Sequence, residues 1–174
     1  MIVGLVGQPG AGKTTIADNL RDWSALSEDL DLDIKLEVIS TSQLLNPSER
    51  GQVLGPERVV RDAVQAIVEK RESKVYVIDS MPRTLGQLFW LHQVARDSLQ
   101  YVGLVFVEPP DGVVLERIVN RGRDHEEHWL ARREQYKEES LDIWLYRPDK
   151  YISVSNRNSI KNAEEIWAWI CGQS

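Results

Sequence analysis

The sequence predicts an α/β fold, a mostly parallel sheet with helices on both faces. Three observations carry that reading. Short apolar, β-branched runs alternate along the chain with segments of helical periodicity, the order that lays successive strands side by side in parallel. A glycine-rich loop, Gly7 to Gly12, stands between the first run and the first helical segment. Polar residues, Thr41 and Asp79 among them, lie just beyond the ends of apolar runs, where such sheets gather ligands.

Taken in order, Ile2, Val3, Leu5 and Val6 suit a buried strand, and Thr14 to Leu20 continues as a helix. Glu28 to Asp33 is an acidic, solvated turn. Leu36, Val38 and Ile39 form a second strand that ends at Ser40-Thr41-Ser42. Asn46-Pro47-Ser48 and Gly51 to Pro56 break regular structure, and Glu57 to Glu69 reads as a helix with Val60, Val64, Ile67 and Val68 on one face. Val75 to Ile78, ending in Asp79, is a core strand. Thr84 to Ala95 is helical, with Leu85, Leu88 and Phe89 turned inward. Tyr101 to Val107 gives a fourth strand, closed by Glu108-Pro109-Pro110. Asp111 caps a helix whose Val114, Leu115 and Ile118 face the core. A polar stretch from Arg121 to Glu127 precedes another helix through about Glu139. Tyr151 to Val154 is a last short strand, and Ala163, Ile166, Trp167 and Ile170 stripe a terminal helix.

Composition bounds the function. A chain of 174 residues, 42% hydrophobic and 28% charged, suits one globular domain with a full core. A formal net charge of −6 argues against broad nucleic-acid binding but allows a local basic pocket for a small anion. Cys171 has no second cysteine to pair with, which points to a reducing compartment. No apolar run is long enough to span a bilayer, and the first residues enter a strand without a basic leader. A cytoplasmic protein without a membrane partner is the expectation.

The loop Gly7-Gln8-Pro9-Gly10-Ala11-Gly12-Lys13-Thr14, followed by Thr15, matches the phosphate-loop pattern of two glycines five apart, then lysine, then a hydroxyl. Its glycines allow a tight turn with inward N–H groups, and the following helix adds the positive end of its dipole. Lys13 would reach the outer phosphates and the Thr14 hydroxyl would ligate magnesium. A chance glycine turn would not bring strand, helix and all eight positions together. The pattern implies a nucleoside triphosphate.

Asp79, after the third strand, can organise a magnesium shell; a turn or capping aspartate is the plainer reading, and the phosphate loop tips the balance. Arginines are the second informative set. Phosphoryl transfer asks a protein to align two anions and neutralise charge, which suits forked, permanent cations. Arg83 follows Pro82 at a strand end, and Arg117, Arg121, Arg123, Arg132 and Arg133 cluster around the polar stretch. Arg117 and Arg121, four apart, can share a helical face. Any one of them alone reads as a surface arginine. His125 and His128, beside Glu126 and Glu127, could hold a transition metal, although solvated helix-start residues are the simpler reading. His92 reads as a helix-boundary residue. The six tryptophans fill the core or its edge, with Trp129 beside the polar stretch.

Gly7 to Thr14, Ile39 to Leu45, and Asp79-Ser80-Met81-Pro82-Arg83-Thr84-Leu85-Gly86-Gln87 resemble three signatures of the adenylate kinases, a family of nucleoside monophosphate kinases. Leu115 to Ile118 with Arg121, and Arg132 to Tyr136, continue the resemblance in the family's order. It implies a P-loop NTPase fold with a five-stranded parallel sheet in a single domain, 1–174, carrying an acceptor-binding insert at about 41–57 and a lid at about 121–128. It also implies transfer of the γ-phosphoryl of ATP, taken with Mg2+, to a nucleoside monophosphate, most simply AMP, by a monomer. By resemblance the ATP side comprises Gly7, Gln8, Pro9, Gly10, Ala11, Gly12, Lys13, Thr14 and Thr15, with Arg117 stacking on the base and Asn158 near it. Thr14 and Asp79 hold the metal. Thr41, Arg83 and Gln87 take the acceptor, and Lys13, Arg83, Arg121, Arg123 and Arg132 serve catalysis. The chain departs from the family where Asn46 replaces an acceptor-side arginine, and in its short insert and stub of a lid. Less shielding from water would raise ATP hydrolysis without acceptor. Two other readings remain: a nucleotide-binding module that engages a protein or RNA partner, and a kinase of another small metabolite.

Overall fold

The computed structural model describes residues 1–28, 35–41, 61, 64–65, 75–97, 100–121, 126–146, 148–155 and 157–173. The strands are β1 (Ile2–Val6), β2 (Leu36–Ser40), β3 (Val75–Asp79), β4 (Val102–Val107) and β5 (Tyr151–Val154). The helices are α1 (Lys13–Glu28), α2 (Leu85–Asp97), α3 (Asp111–Arg121), α4 (Glu126–Tyr146) and α5 (Ser159–Cys171). All strand pairs are parallel, and the order across the sheet is β2-β3-β1-β4-β5.

Strand pleating sorts the apolar runs into two cores. Ile2, Tyr76, Ile78, Leu104 and Phe106 point to one face, where Leu88 and Leu91 of α2 and Ile143 of α4 cover them. Val3, Leu5, Val77 and Val105 point to the other, under Ile16 and Leu20 of α1 and Ile166 and Ile170 of α5. Both faces are therefore buried, which explains why β1, β3 and β4 read as unbroken apolar runs. A third cluster, Val114, Ile118 and Trp129, joins α3 to α4. β1 lies between β3 and β4, where the strand order reverses, so a crevice opens beyond its carboxyl end. The loop from Gly7 to Gly12 sits there.

Some expectations need correction. Phe89 is not turned inward; it is 50% exposed and meets Tyr146 edge-on, ring centroids 5.4 Å apart. Leu88, Phe89, Trp90 and Leu91 are consecutive, and one helical stripe cannot bury four neighbours. Helix α1 continues past Leu20 to Glu28, so the acidic segment begins inside it. Helix α4 runs on to Tyr146 rather than stopping near Glu139, because its last turns bury Ile143 and pack Trp144. The tryptophans behave as expected: Trp90, Trp129 and Trp167 are buried, and Trp23, Trp144 and Trp169 are half-buried. Of the helix expected from Glu57 to Glu69, Arg61, Val64 and Gln65 are described and helical, with Val64 wholly buried. Among the described residues no helix is long and apolar enough to cross a membrane.

Candidate active site

The loop after β1 turns through Gly10 (φ 82°) and Gly12 (φ 87°), both in the left-handed region. Ala11 N–H donates to the Gln8 carbonyl at 3.0 Å and closes the turn. Its underside rests on the α3–α4 cluster: a Cβ at Gly10 would stand 2.9 Å from both Ile118 Cδ1 and Val114 Cγ1. Gly10→Ala is therefore expected to cost about 2 kcal/mol of stability, combining left-handed strain with overpacking. Urea denaturation would measure it, and an unchanged midpoint would refute the packing assigned to this turn.

Lys13 opens α1, and its ammonium donates to the carbonyls of Gly7 (2.6 Å) and Gln8 (3.1 Å). Burial pushes its pKa down to about 8, Arg83 and Arg132 push the same way, and Asp79 opposes them. Asp79 at the end of β3, Arg83 in the loop after it and Arg132 on α4 thus all lie within electrostatic reach of Lys13. Asp79 ends β3 opposite Leu5 of β1 and Ser40 of β2, and is buried. Its carboxylate accepts from Thr14 Oγ1 at 2.7 Å and from Ser80 Oγ at 3.0 Å, while its main-chain carbonyl accepts from Thr41 Oγ1 at 2.9 Å. The Thr14 hydroxyl and the Asp79 carboxylate are hard oxygens side by side, a donor set that fits Mg2+.

Arg83 reaches this point because the chain doubles back after β3. Ser80 takes a positive φ of 71°, and the next residues pack across β1 at Gly4, where a Cβ would lie 2.6 Å from Pro82 Cδ. Arg83 Nε then donates to the Ser80 carbonyl at 3.0 Å. Burial, then Arg132, lowers the Arg83 pKa, with Glu139 and Asp79 opposing. Gln87 is buried, and its Oε1 accepts from the Arg83 main-chain N–H at 2.7 Å. It is thereby a brace for the Arg83 backbone, a role that sequence reasoning missed; the four-residue spacing was its visible trace.

The arginines grouped by sequence part company in space. Arg132 acts on Lys13 and Arg83. Arg133 turns away to Asp111 and Glu134, with its guanidinium 5.6 Å from the centroid of the Trp129 ring. Arg117 Nη1 donates to the Ala11 carbonyl at 3.2 Å, and Trp129 Nε1 to the Pro9 carbonyl at 3.1 Å. Gln8 Nε2 donates to Asp111 Oδ1 at 3.3 Å. That bond, then Arg133, holds the Asp111 carboxyl below its ordinary range. The sequence offers Asp111 as a helix cap and Trp129 as core packing by default; their polar contacts with the loop are added by the structure. Thr15 is exposed in the first turn of α1, and Asn158 caps α5, accepting from Lys161 N–H at 3.0 Å. Arg121 ends α3. Arg123, Asn46, His125 and nearly all of the expected insert lie outside the described residues.

A parallel sheet with this loop at its switch point, a lysine in the loop and a carboxylate on the neighbouring strand defines a phosphate-loop nucleotide-binding protein. The AAA domain family matches residues 6–129. Adenylate kinase of Parasynechococcus marenigrum (strain WH8102) is 30% identical over 86% of this chain and 86% of its own. Adenylate kinase of Corynebacterium urealyticum is 26% identical over 92% of this chain and 93% of its own. Chaetomium thermophilum Kti12, solved in complex with ADP-AlF3, shares the fold with a TM-score of 0.68 at 17% identity, over 99% of this chain and 98% of its own. The chain belongs to the AAA domain family and is an adenylate kinase-like P-loop kinase.

Proposed function

We propose that this kinase transfers the γ-phosphoryl group of Mg-ATP to a nucleoside monophosphate, AMP in the first place. The observation that supports this most is the convergence of Lys13, Arg83 and Arg132 around Asp79. Such a cluster suits a reaction in which an acceptor phosphate oxygen attacks the γ-phosphorus as the bond to the leaving ADP oxygen breaks. The loop from Gly7 to Thr15 cradles the ATP phosphates, with Arg117 and Asn158 on the base side. Lys13 follows the transferring group. Thr14 and Asp79 would hold Mg2+, which supplies charge neutralisation when bound. Arg83 clamps the acceptor phosphate, Thr41 lines the acceptor pocket, and the Gln87 amide nitrogen remains to donate to the acceptor base. Arg132, with Arg121 and Arg123, closes over the phosphates. The proposed unit is a cytoplasmic monomer of one domain, 1–174, with its acceptor insert at about 41–57 and its lid at about 121–128.

A second reading is an ATP-hydrolysing module that acts on a protein or RNA partner; Asn46 in place of an arginine and the short insert favour it. A kinase of another small metabolite is the third. A coupled assay across ribo- and deoxyribonucleoside monophosphates separates them. ADP formation is expected to rise most with AMP, and adenosine linked to AMP through phosphates should bind far more tightly than ATP. No stimulation by any monophosphate, together with ATP-like affinity for the linked ligand, would exclude the monophosphate kinase.

A further inference from the structure

We propose that Trp129 orients the phosphate loop: by holding the Pro9 carbonyl, its indole N–H aims the Gly10 amide at the phosphates. This rests on the phosphate-cradle part of the proposed function and is independent of the acceptor. A trans peptide is planar, with its C=O and N–H pointing in opposite directions. Whatever anchors one end decides where the other aims. Trp129 Nε1 donates to the Pro9 carbonyl at 3.1 Å, and the amide across that plane belongs to Gly10. Two residues on, Arg117 Nη1 donates to the Ala11 carbonyl at 3.2 Å, and the amide across that plane belongs to Gly12. Both glycines sit at positive φ and carry no side chain to choose between orientations of the peptide. The outside anchors make the choice. The carbonyls of Pro9 and Ala11 are drawn toward α4 and α3, and those of Gly7 and Gln8 toward Lys13.

The indole is well held for this task. It is 3% exposed and packs with Val114 and Ile118, so its ring cannot swing. Arg133 lies against the ring and is paired with Asp111, which also accepts from Gln8. An indole N–H only donates, so it holds a carbonyl and cannot settle for an amide. Arg132 rises from the same helix three residues on, so the loop and this arginine keep one register. Trp129 is a positioning residue, acting on phosphate through the loop's own amides, and Arg117, proposed for the base side, adds the same action through its bond to the Ala11 carbonyl.

Trp129→Phe keeps a ring under Arg133 and removes the donor. Calorimetric titration of the full chain with ATP and with inorganic tripolyphosphate should show both weakened by the same factor, about tenfold, as expected for one lost hydrogen bond. In amide NMR spectra, the Gly10 signal should respond to tripolyphosphate in the unsubstituted protein and lose that response in Trp129→Phe. Unchanged tripolyphosphate affinity with the Gly10 response intact would overturn the proposal. So would a loss confined to ATP, which would place Trp129 on the base side. If Trp129→Phe fails to fold, the second anchor carries the test: Arg117→Ala should lose the Gly12 response and Arg117→Lys should keep it. A Gly12 response that survives Arg117→Ala overturns the proposal. A protein that binds neither ligand refutes the cradle itself, whereas one that binds both and phosphorylates no monophosphate refutes only the acceptor.

Discussion

Alanine in place of Lys13 is expected to lower phosphoryl transfer by roughly a thousandfold, the loss that follows removal of a preorganised donor from a transition state. The same substitution should change how ATP binding depends on pH. In the free protein the ammonium titrates at about 8, pushed there first by burial and then by Arg83 and Arg132. A bound triphosphate favours the charged form, so binding raises this pKa and takes up a proton near pH 8. Affinity for ATP should therefore fall as pH climbs through about 8. Calorimetry in buffers of different ionisation enthalpy would count the proton. Lys13→Ala should abolish the uptake; a proton still taken up near pH 8 would mean that another group titrates there.

Arg83→Ala should have the next largest effect, on the other substrate. Loss of a forked cation at the acceptor phosphate should raise the KM for AMP and lower kcat by about a hundredfold or more. ATP affinity should hold or improve, because Arg83 works against the charge on Lys13. The pH midpoint of ATP binding should accordingly move upward. Arg83→Lys restores the charge, and with it the midpoint. It does not restore the fork, nor the Nε–H donated to the Ser80 carbonyl, so AMP kinetics should stay impaired. Steady-state kinetics with each substrate varied would decide; normal AMP kinetics in Arg83→Ala would remove this residue from the acceptor side.

What could be read from the chain was whatever has a local cause. The run from Ile2 to Val6 followed by two glycines five apart announced strand, loop and helix within thirteen residues, because period, glycine freedom and the lysine all act over one turn. β1, β3 and β4 were legible for the same reason, since parallel strands buried on both faces leave near-continuous apolar runs, whereas the edge strands β2 and β5 are only partly buried. Phe89 was misread because four consecutive apolar residues do not say which of them faces the core.

Contacts between residues far apart in the chain were decided only by the tertiary structure. Arg132 and Arg133 are neighbours that sequence treats alike. Adjacent residues on a helix point about 100° apart, so one comes within electrostatic reach of Lys13 and Arg83 while the other meets Asp111 and Trp129. Sequence placed the phosphate loop and its lysine. Packing of α3 and α4 beneath that loop chose which side chains hold its carbonyls, because direction in space is set by what a helix rests on.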